Sequence, residues 1–362
     1  MNAPLLDPKV APTPAGQIDP RRYFERIGDE RGAIAADDPV CLYLETTNRC
    51  NLLCTTCPRT YEELEPPSDM SWELFTSIVD QFPKVQRVVL HGVGEPMMAA
   101  ELPKMVRYLK ERGVYVLFNT NGTLMREKKS RELIEAGLDE MRISLDAAEP
   151  KAFEAVRGRD LFDRIVRNIR NVVTLKTRMG AANPRLSLWL TGLRETLEQL
   201  PDFIRLAHSM GVLEVHLQRL VYFDSGRFGL ARPESSLFEQ RDREEGKYLL
   251  DAEKLAAELG VLFDASGAAE PESSLRRLDG DAPWSLCRRP WSLMYFTAHG
   301  RALPCCIAPF SMRGYENFTL GDARTAPLRQ IWNGAEYQSF REALMSDRPP
   351  QSCAGCGLRW SL

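Results

Sequence analysis

"CLYLETTNRCNLLCTTCPRT" spans residues 41–60 and holds cysteines at 41, 50, 54 and 57. Cys50, Cys54 and Cys57 form a C-x3-C-x2-C run directly after a short β-rich segment, "CLYLETT" (41–47). Zinc sites favour C-x2-C pairs closed by a second pair, and a thioredoxin-like redox site uses two sulfurs. Three thiols in one loop leave one metal position without a protein ligand, the general mark of a catalytic site. Cys41 could supply a fourth ligand, but it opens a strand and reads as a small packed apolar residue.

Further β-rich runs follow at "RVVLHG" (87–92), "VYVLFNT" (114–120), "MRISLD" (141–146), "LSLWLTG" (186–192) and "LEVHLQRL" (213–220). Helical patterns lie between most of them, and two of these end at Gly113 and Gly137, residues suited to a helix stop. Alternating β and α units imply a parallel sheet with right-handed crossovers. Six units suggest a partial barrel. In the last three runs, Arg142, Ser144, Asp146, Ser187, Trp189, Thr191, Glu214, His216 and Gln218 alternate with aliphatic residues. Strands of a closed barrel read as apolar on both faces. The polar face is therefore expected to line a wide lumen holding a polar ligand, with water-exposed edge strands as the alternative.

The chain has 362 residues, 44% hydrophobic, with a net charge of −3 and both signs mixed throughout. That length supports one large core or two domains. No basic stretch suggests a nucleic acid and no apolar run is long enough for a bilayer, so neither partner is expected. The Pro- and Ala-rich start lacks the pattern of a signal peptide. A disordered tail over 1–20, a helix over 21–37 and a cytoplasmic location are expected. The nine cysteines fall into two groups, and clustered cysteines in such a chain more often serve metal or redox chemistry than disulfides.

"NRCNLLCTTCPR" resembles the cluster loop of the radical SAM superfamily, which follows the first barrel strand. The resemblance implies a [4Fe–4S] cluster on Cys50, Cys54 and Cys57. The free iron of that cluster would bind S-adenosylmethionine, which is then cleaved reductively to a 5′-deoxyadenosyl radical. "HGVGEP" (91–96) resembles the family's Gly-Gly-Glu-Pro motif, in which Gly94 and Glu95 would receive the methionyl ammonium. "NTNGT" (119–123) closes strand three in the family manner and contributes Asn119. Ser144 and Asp146 fall where family residues contact the ribose or carboxylate, Arg157 where one pairs with the methionyl carboxylate, and Thr191 joins the set. Thr56 stands where the family often has an aromatic residue or His near the adenine.

The C-terminal segment resembles the SPASM/twitch extension of the same superfamily. It carries Cys287, Gly300, Cys305, "LGDARTAPLRQIWNGAEYQSFREAL" (320–344) and "CAGC" (353–356). The resemblance implies a β-hairpin and helix around one auxiliary [4Fe–4S] cluster on Cys287, Cys305, Cys353 and Cys356, similar to the dehydrogenase acting on 2-deoxy-scyllo-inosamine. Zinc on the same four sulfurs is the alternative. Cys306 is expected as a packed thiol, or as a hydrogen-atom donor. The expected organisation is an α/β fold: a partial (β/α)6 TIM barrel over 38–263, a linker over 264–283 and the auxiliary-cluster domain over 284–362.

This reading implies a dehydrogenase-like oxidoreductase, or a lyase or isomerase, with two [4Fe–4S] clusters and S-adenosylmethionine, supplied with electrons by an external flavodoxin or ferredoxin. The expected substrate is a polar small molecule such as a sugar, aminocyclitol or nucleoside. His216, Gln218, Arg219, Tyr222 and Asp224 are the substrate-side candidates, with Arg227 and Arg232 in the following loop. The alternatives are maturation of a ribosomally made peptide by crosslinking or epimerisation, and a non-catalytic iron–sulfur protein.

Overall fold

The computed structural model describes residues 31–222, 229–237, 243–266, 271–275, 282–311, 314 and 318–354. Seven strands pair in chain order, all parallel: β1 (Cys41–Leu44), β2 (Arg87–Val89), β3 (Tyr115–Thr120), β4 (Glu140–Ser144), β5 (Arg185–Gly192), β6 (Glu214–Arg219) and β7 (Leu262–Ala265). Between them run helices α1 (Trp72–Asp80), α2 (Leu102–Lys110), α3 (Glu127–Glu135), α4 (Pro150–Arg157), α5 (Phe162–Met179), α6 (Leu200–Ser209) and α7 (Arg243–Leu259). α2 shows why they form: Leu102, Met105, Val106 and Leu109 recur at helical spacing and are buried, and the chain then turns at Gly113 with φ 71°.

The two-residue period of the strands sorts their side chains into two cores. Leu42, Leu44, Val88, Val116, Phe118, Met141 and Ile143 pack outward with the helices. Cys41, Tyr43, Val89, Tyr115 and Leu117 pack on the inner face with Leu293, Tyr295, Leu303, Cys306 and Ile307 from the C-terminal segment. That segment is not a separate body behind a linker. Its strand β8 (Leu293–Phe296) pairs in parallel with β1, from Cys41↔Leu293 to Leu44↔Phe296. β9 (Arg301–Leu303) returns antiparallel after Gly300, and β10 (Gly321–Asp322) completes a ten-stranded sheet of order β10-β9-β8-β1-β2-β3-β4-β5-β6-β7.

Three expectations need correction. Six strands were expected, and β7 is an additional parallel strand that runs into the segment read as the start of a linker. Within the expected helix over 21–37, the described residues 31–37 are irregular. Their carbonyls serve the C-terminal segment instead of a helix: Trp291 Nε1 donates to Gly32 O at 2.7 Å, Arg341 Nη1 to Ala33 O at 3.0 Å and Trp332 Nε1 to Asp37 O at 2.8 Å. The polar strand faces are not uniformly open, although Ser144, Thr191, Glu214, His216 and Gln218 are only half-buried. Arg142 and Ser187 are buried, and Arg142 Nε donates to Glu140 Oε1 at 2.6 Å while its guanidinium lies 4.4 Å from the Trp189 ring centre. Burial opposes charge on Glu140, yet Arg142 and Arg185 together hold its carboxyl far below the usual range. Cross-strand neighbours satisfy one another, which alternation along a single strand cannot reveal.

Glu45, just beyond β1, fastens the two halves of the sheet. Its Oε1 accepts from Val93 N at 2.8 Å and its Oε2 from Ala298 N at 2.9 Å, with the Tyr295 hydroxyl 3.4 Å from Oε1. Burial pushes its carboxyl up from 4.5 to about 7, opposed by the Ala298 and Val93 amides and reinforced by Glu65. A carboxyl raised in the folded state contributes stability that is fully present below its unfolded value and is lost as pH rises through about 7. Anaerobic urea unfolding between about pH 5 and 8 should therefore show a steeper loss of stability with rising pH in the wild type than in Glu45→Gln. Parallel slopes in the two proteins would refute this role.

Candidate active site

The cluster loop is folded by its own backbone. Cys57 N donates to Cys54 O at 3.1 Å, Thr60 Oγ1 donates to the same carbonyl at 2.8 Å, and Arg59 Nε reaches back to Asn48 O at 3.0 Å. Cys54 is buried, and Cys50 and Cys57 are half-buried. Two donors face the sulfurs: Asn121 Nδ2 lies 3.9 Å from Cys50 Sγ, and Arg157 Nη1 lies 3.7 Å from Cys54 Sγ. Burial, then the neighbouring Cys54, push the Cys57 thiol up to about 12, and burial also raises Cys50. Such a group releases its protons only to a strongly positive centre. Among the described residues no three His, Cys, Asp or Glu side chains converge on one ion. Three neighbouring thiols on one loop suit a cluster, in which each thiolate takes its own iron.

Gly92 and Gly94 set how closely the second loop approaches the first. A Cβ on Gly92 would stand 2.3 Å from the Glu45 side chain, and one on Gly94 would stand 2.1 Å from Thr47 O and 2.7 Å from Arg49 O. The cluster-loop backbone therefore packs directly against Gly94 Cα. Glu95 is likewise committed inward: its N–H donates to Arg49 O at 2.8 Å, Oε1 accepts from Met97 N and Thr120 Oγ1, and Oε2 accepts from Asn121 N at 2.6 Å. The carboxylate ties the ends of β2 and β3 together.

Asp146 and Arg157 form a buried pair at 2.6 Å. Asp146 Oδ1 also accepts from Thr191 N at 2.8 Å, so β4, β5 and the end of α4 meet beside Cys54. Burial works against charge on Arg157, but Asp146 and Cys54 outweigh it and raise its pKa. Asn119, Ser144 and Thr191 are half-buried near the C-terminal ends of their strands. Asn121 was missed in the sequence although it lies within "NTNGT"; it also donates to Asn51 Oδ1 at 2.9 Å. His91, at the head of the "HGVGEP" turn, was missed as well. Burial and the nearby Arg142 push its imidazole down to about 4.

At the second group, residues 351–354 pack against both 283–286 and 308–311, which brings the Cys287, Cys305 and Cys353 segments together. Cys356 lies outside the described residues. Arg289, 2% exposed, has Cys306, Cys305 and Cys287 as its electrostatic neighbours; burial lowers its pKa, and these thiols raise it by more. Arg31 Nη1 donates to Cys287 O at 2.5 Å. A buried guanidinium among three thiols complements thiolates, so the donor set fits an anionic sulfur cluster. Cys306 is a packed thiol in the inner core with Cys41 and Tyr43, and burial pushes it up to about 11. Cys41 has Arg87, Cys306, Arg142 and Arg289 as its charged neighbours, none of them in the cluster loop.

The substrate-side candidates separate. His216 and Gln218 share the inner register of β6, while Arg219 falls on the register of Val215 and Leu217, which pack in the outer core. Tyr222 packs with Val156, Leu193 and Leu220. Arg232 lies 3.9 Å from Glu195. Asp224 and Arg227 lie outside the described residues. The loop after β6 instead meets the cluster loop: Leu230 N donates to Thr55 O at 3.0 Å, and a Cβ on Gly229 would stand 2.4 Å from that same oxygen.

The sequence model of the radical SAM superfamily matches residues 44–207, and that of the SPASM iron–sulfur cluster-binding domain matches residues 287–357. The chain belongs to the radical SAM superfamily and carries a SPASM domain. Its cofactors are S-adenosylmethionine and [4Fe–4S] clusters. The tungsten-containing aldehyde ferredoxin oxidoreductase cofactor-modifying protein of Pyrococcus furiosus is 26% identical over 340 residues, covering 88% of this chain and 87% of that protein. The mycofactocin maturase MftC of Mycolicibacterium smegmatis is 27% identical, covering 91% and 77%. The PqqA peptide cyclase of Granulibacter bethesdensis is 23% identical, covering 89% and 81%. The structure of Streptococcus suis SuiB bound to S-adenosylmethionine shares the fold, with a TM-score of 0.64 and 17% identity over 84% of this chain and 68% of that one. These relatives are not named for sugars or aminocyclitols, so they do not support the expected small-molecule substrate or a dehydrogenase of the deoxy-scyllo-inosamine type. No helix among the described residues is long and apolar enough to cross a membrane.

Because the atoms facing Gly94 are backbone, a methyl there cannot be absorbed by a side-chain shift. Gly94→Ala should lose roughly half of the iron bound by the reconstituted wild type, as expected when one of two equal clusters is lost. Unchanged iron content would show that the loop yields.

Proposed function

We propose that the chain is a peptide maturase, taking a hydrogen atom from a residue of a peptide and leaving that residue crosslinked or epimerised. The observation that carries this reading is its alignment over 91% and 89% of its length with a mycofactocin maturase and a PqqA peptide cyclase. Cys50, Cys54 and Cys57 would hold one [4Fe–4S] cluster, and Cys287, Cys305, Cys353 and Cys356 a second. With S-adenosylmethionine and an external flavodoxin- or ferredoxin-type reductant, these cofactors supply the hydrogen-abstracting radical and the electron route.

The protein's own part is positioning and shelter. Arg157, fixed by Asp146, donates toward Cys54, and Asn121 donates toward Cys50, so both sulfurs are hydrogen-bonded from outside the loop. Asn119, Ser144 and Thr191 would offer hydrogen-bonding groups to S-adenosylmethionine, together with the backbone of Gly94. Tyr43, Leu117, Tyr295 and Ile307 keep the inner face dry, which protects a reactive carbon from water and stray reductants.

Anaerobic incubation of the reconstituted protein with S-adenosylmethionine, dithionite and short peptides encoded beside its gene tests the reading by mass spectrometry. The expected result is 5′-deoxyadenosine together with a peptide that has lost two hydrogens, or that has taken deuterium from heavy water. Oxidation of an aminocyclitol with every peptide untouched would overturn it. About eight irons per chain are expected for two clusters, and about four would eliminate the second. Replacing Cys50, Cys54 and Cys57 together by Ala should abolish 5′-deoxyadenosine formation, whereas Cys353→Ala should lower product formed per 5′-deoxyadenosine.

A further inference from the structure

His216 is placed by register. On the inner face of the sheet its cross-strand partners are Trp189 on β5 and Asp264 on β7. The Trp189 and His216 rings stack with centroids 3.8 Å apart and planes 23° apart. Asp264 Oδ1 lies 2.6 Å from His216 Nδ1. At that distance a carboxylate accepts the Nδ1–H, which leaves Nε2 of the neutral ring as a lone-pair acceptor. Nε2 is buried and has no hydrogen-bond partner among the described residues. Trp189 cannot supply one, because its indole N–H already donates to Ser187 Oγ at 2.9 Å.

An unmade buried hydrogen bond is costly, so a nitrogen with no protein donor is suited to a hydrogen bond from outside the chain. Here one nitrogen is fixed by a carboxylate, the ring plane is fixed by an aromatic face, and the other nitrogen has no donor among the described residues. A base needs this arrangement: a defined tautomer, a defined direction and a counter-charge behind it. Among the described residues, Asp264 from β7 pairs with the ring, Arg142 from β4 lies over the Trp189 ring that stacks on it, and Glu214, two residues away on β6, is paired with Arg185 from β5, which with Arg142 also meets Glu140.

We propose that His216 Nε2 is the proton acceptor for the substrate. It receives a hydrogen bond from an N–H or O–H of the substrate and takes that proton as the residue is modified. The bonding pair stays on the substrate heteroatom, and the new imidazolium is compensated by Asp264. The partner is therefore a donor group, such as a peptide amide or a side-chain hydroxyl, not a carboxylate or phosphate. The inference rests on the chain being an enzyme that modifies a substrate on this face, and it holds for a peptide or a smaller molecule alike.

Two measurements test it. The chain has four histidines, few enough for selective nitrogen-15 labelling and assignment by substitution in the reconstituted full-length protein. Long-range proton–nitrogen correlation should show His216 protonated at Nδ1 with Nε2 bare, and Asp264→Asn should mix the tautomers. An Nε2–H tautomer in the wild type would overturn the proposal, and this readout needs no substrate, so it stands apart from any failure of the peptide reading. In turnover, His216→Gln should lower product formed per 5′-deoxyadenosine by roughly 100-fold or more, the span of general-base catalysis. Asp264→Asn, with its milder change, should lower the same ratio by about tenfold. An unchanged ratio in a folded His216→Gln or Asp264→Asn protein would overturn the proposal.

Discussion

The parallel pairing of β1 with β8 is the constraint on which the rest of the molecule depends. It places the C-terminal hairpin in the same sheet as the strand that leads into the cluster loop. Main-chain hydrogen bonds define a strand's neighbours, and the side-chain period then dictates which residues share a face. Tyr43 and Tyr295 consequently meet on the inner face, with ring centroids 6.5 Å apart. Glu45 adds a polar fastening where the pairing ends, with partners on the β2 loop and on the hairpin. The two cysteine groups are thus held by one continuous hydrogen-bonded element.

Around the first cysteine group most fixing contacts run through backbone. Thr47 O and Arg49 O close against Gly94, Arg49 O receives Glu95 N–H, and Thr55 O receives Leu230 N–H. Backbone contacts tolerate little displacement, so the loop's shape is held mainly by main-chain packing. The side chains that reach the sulfurs, Asn121 and Arg157, are themselves held by a second partner, Asn51 and Asp146 respectively. This layering keeps a donor in direction as well as in distance, the condition for tuning a metal centre from outside its ligands.

Much of this was legible in the sequence, for identifiable reasons. The six strands and the helices between them follow from local period and glycine stops, and the cysteine spacing with the Gly-Glu-Pro turn marked the first site. Interactions with no local signature were not legible. Nothing near residue 293 says that it pairs with residue 41, and nothing near Arg341 says that its guanidinium will hold Pro290 O, Ala33 O and Asn333. The polar alternation of β4, β5 and β6 was read strand by strand as an open lining, and within it Arg142, Glu140 and Trp189 answer one another across strands. The direction in which the Glu95 carboxylate turns was not legible either, because a motif lists residues without their side-chain geometry. The substrate was not legible because a scaffold shared by many chemistries does not encode it.

The β1–β8 seam joins residues about as far apart as Glu45 and Tyr295, 250 positions along the chain. On a ribosome, the first strand emerges long before its neighbour on that side exists. Until residues 293–296 are made, β1 is an open edge whose unpaired amides and carbonyls can recruit any extended segment. The inner-core partners of Tyr43 arrive equally late. The cluster loop therefore spends synthesis attached to an unfinished sheet, its thiols accessible and its shelter not yet built, and completion of the last fifth of the chain closes it. Assembly of the iron centres and completion of the fold are in this sense one event, ordered by where the chain places its final parallel strand.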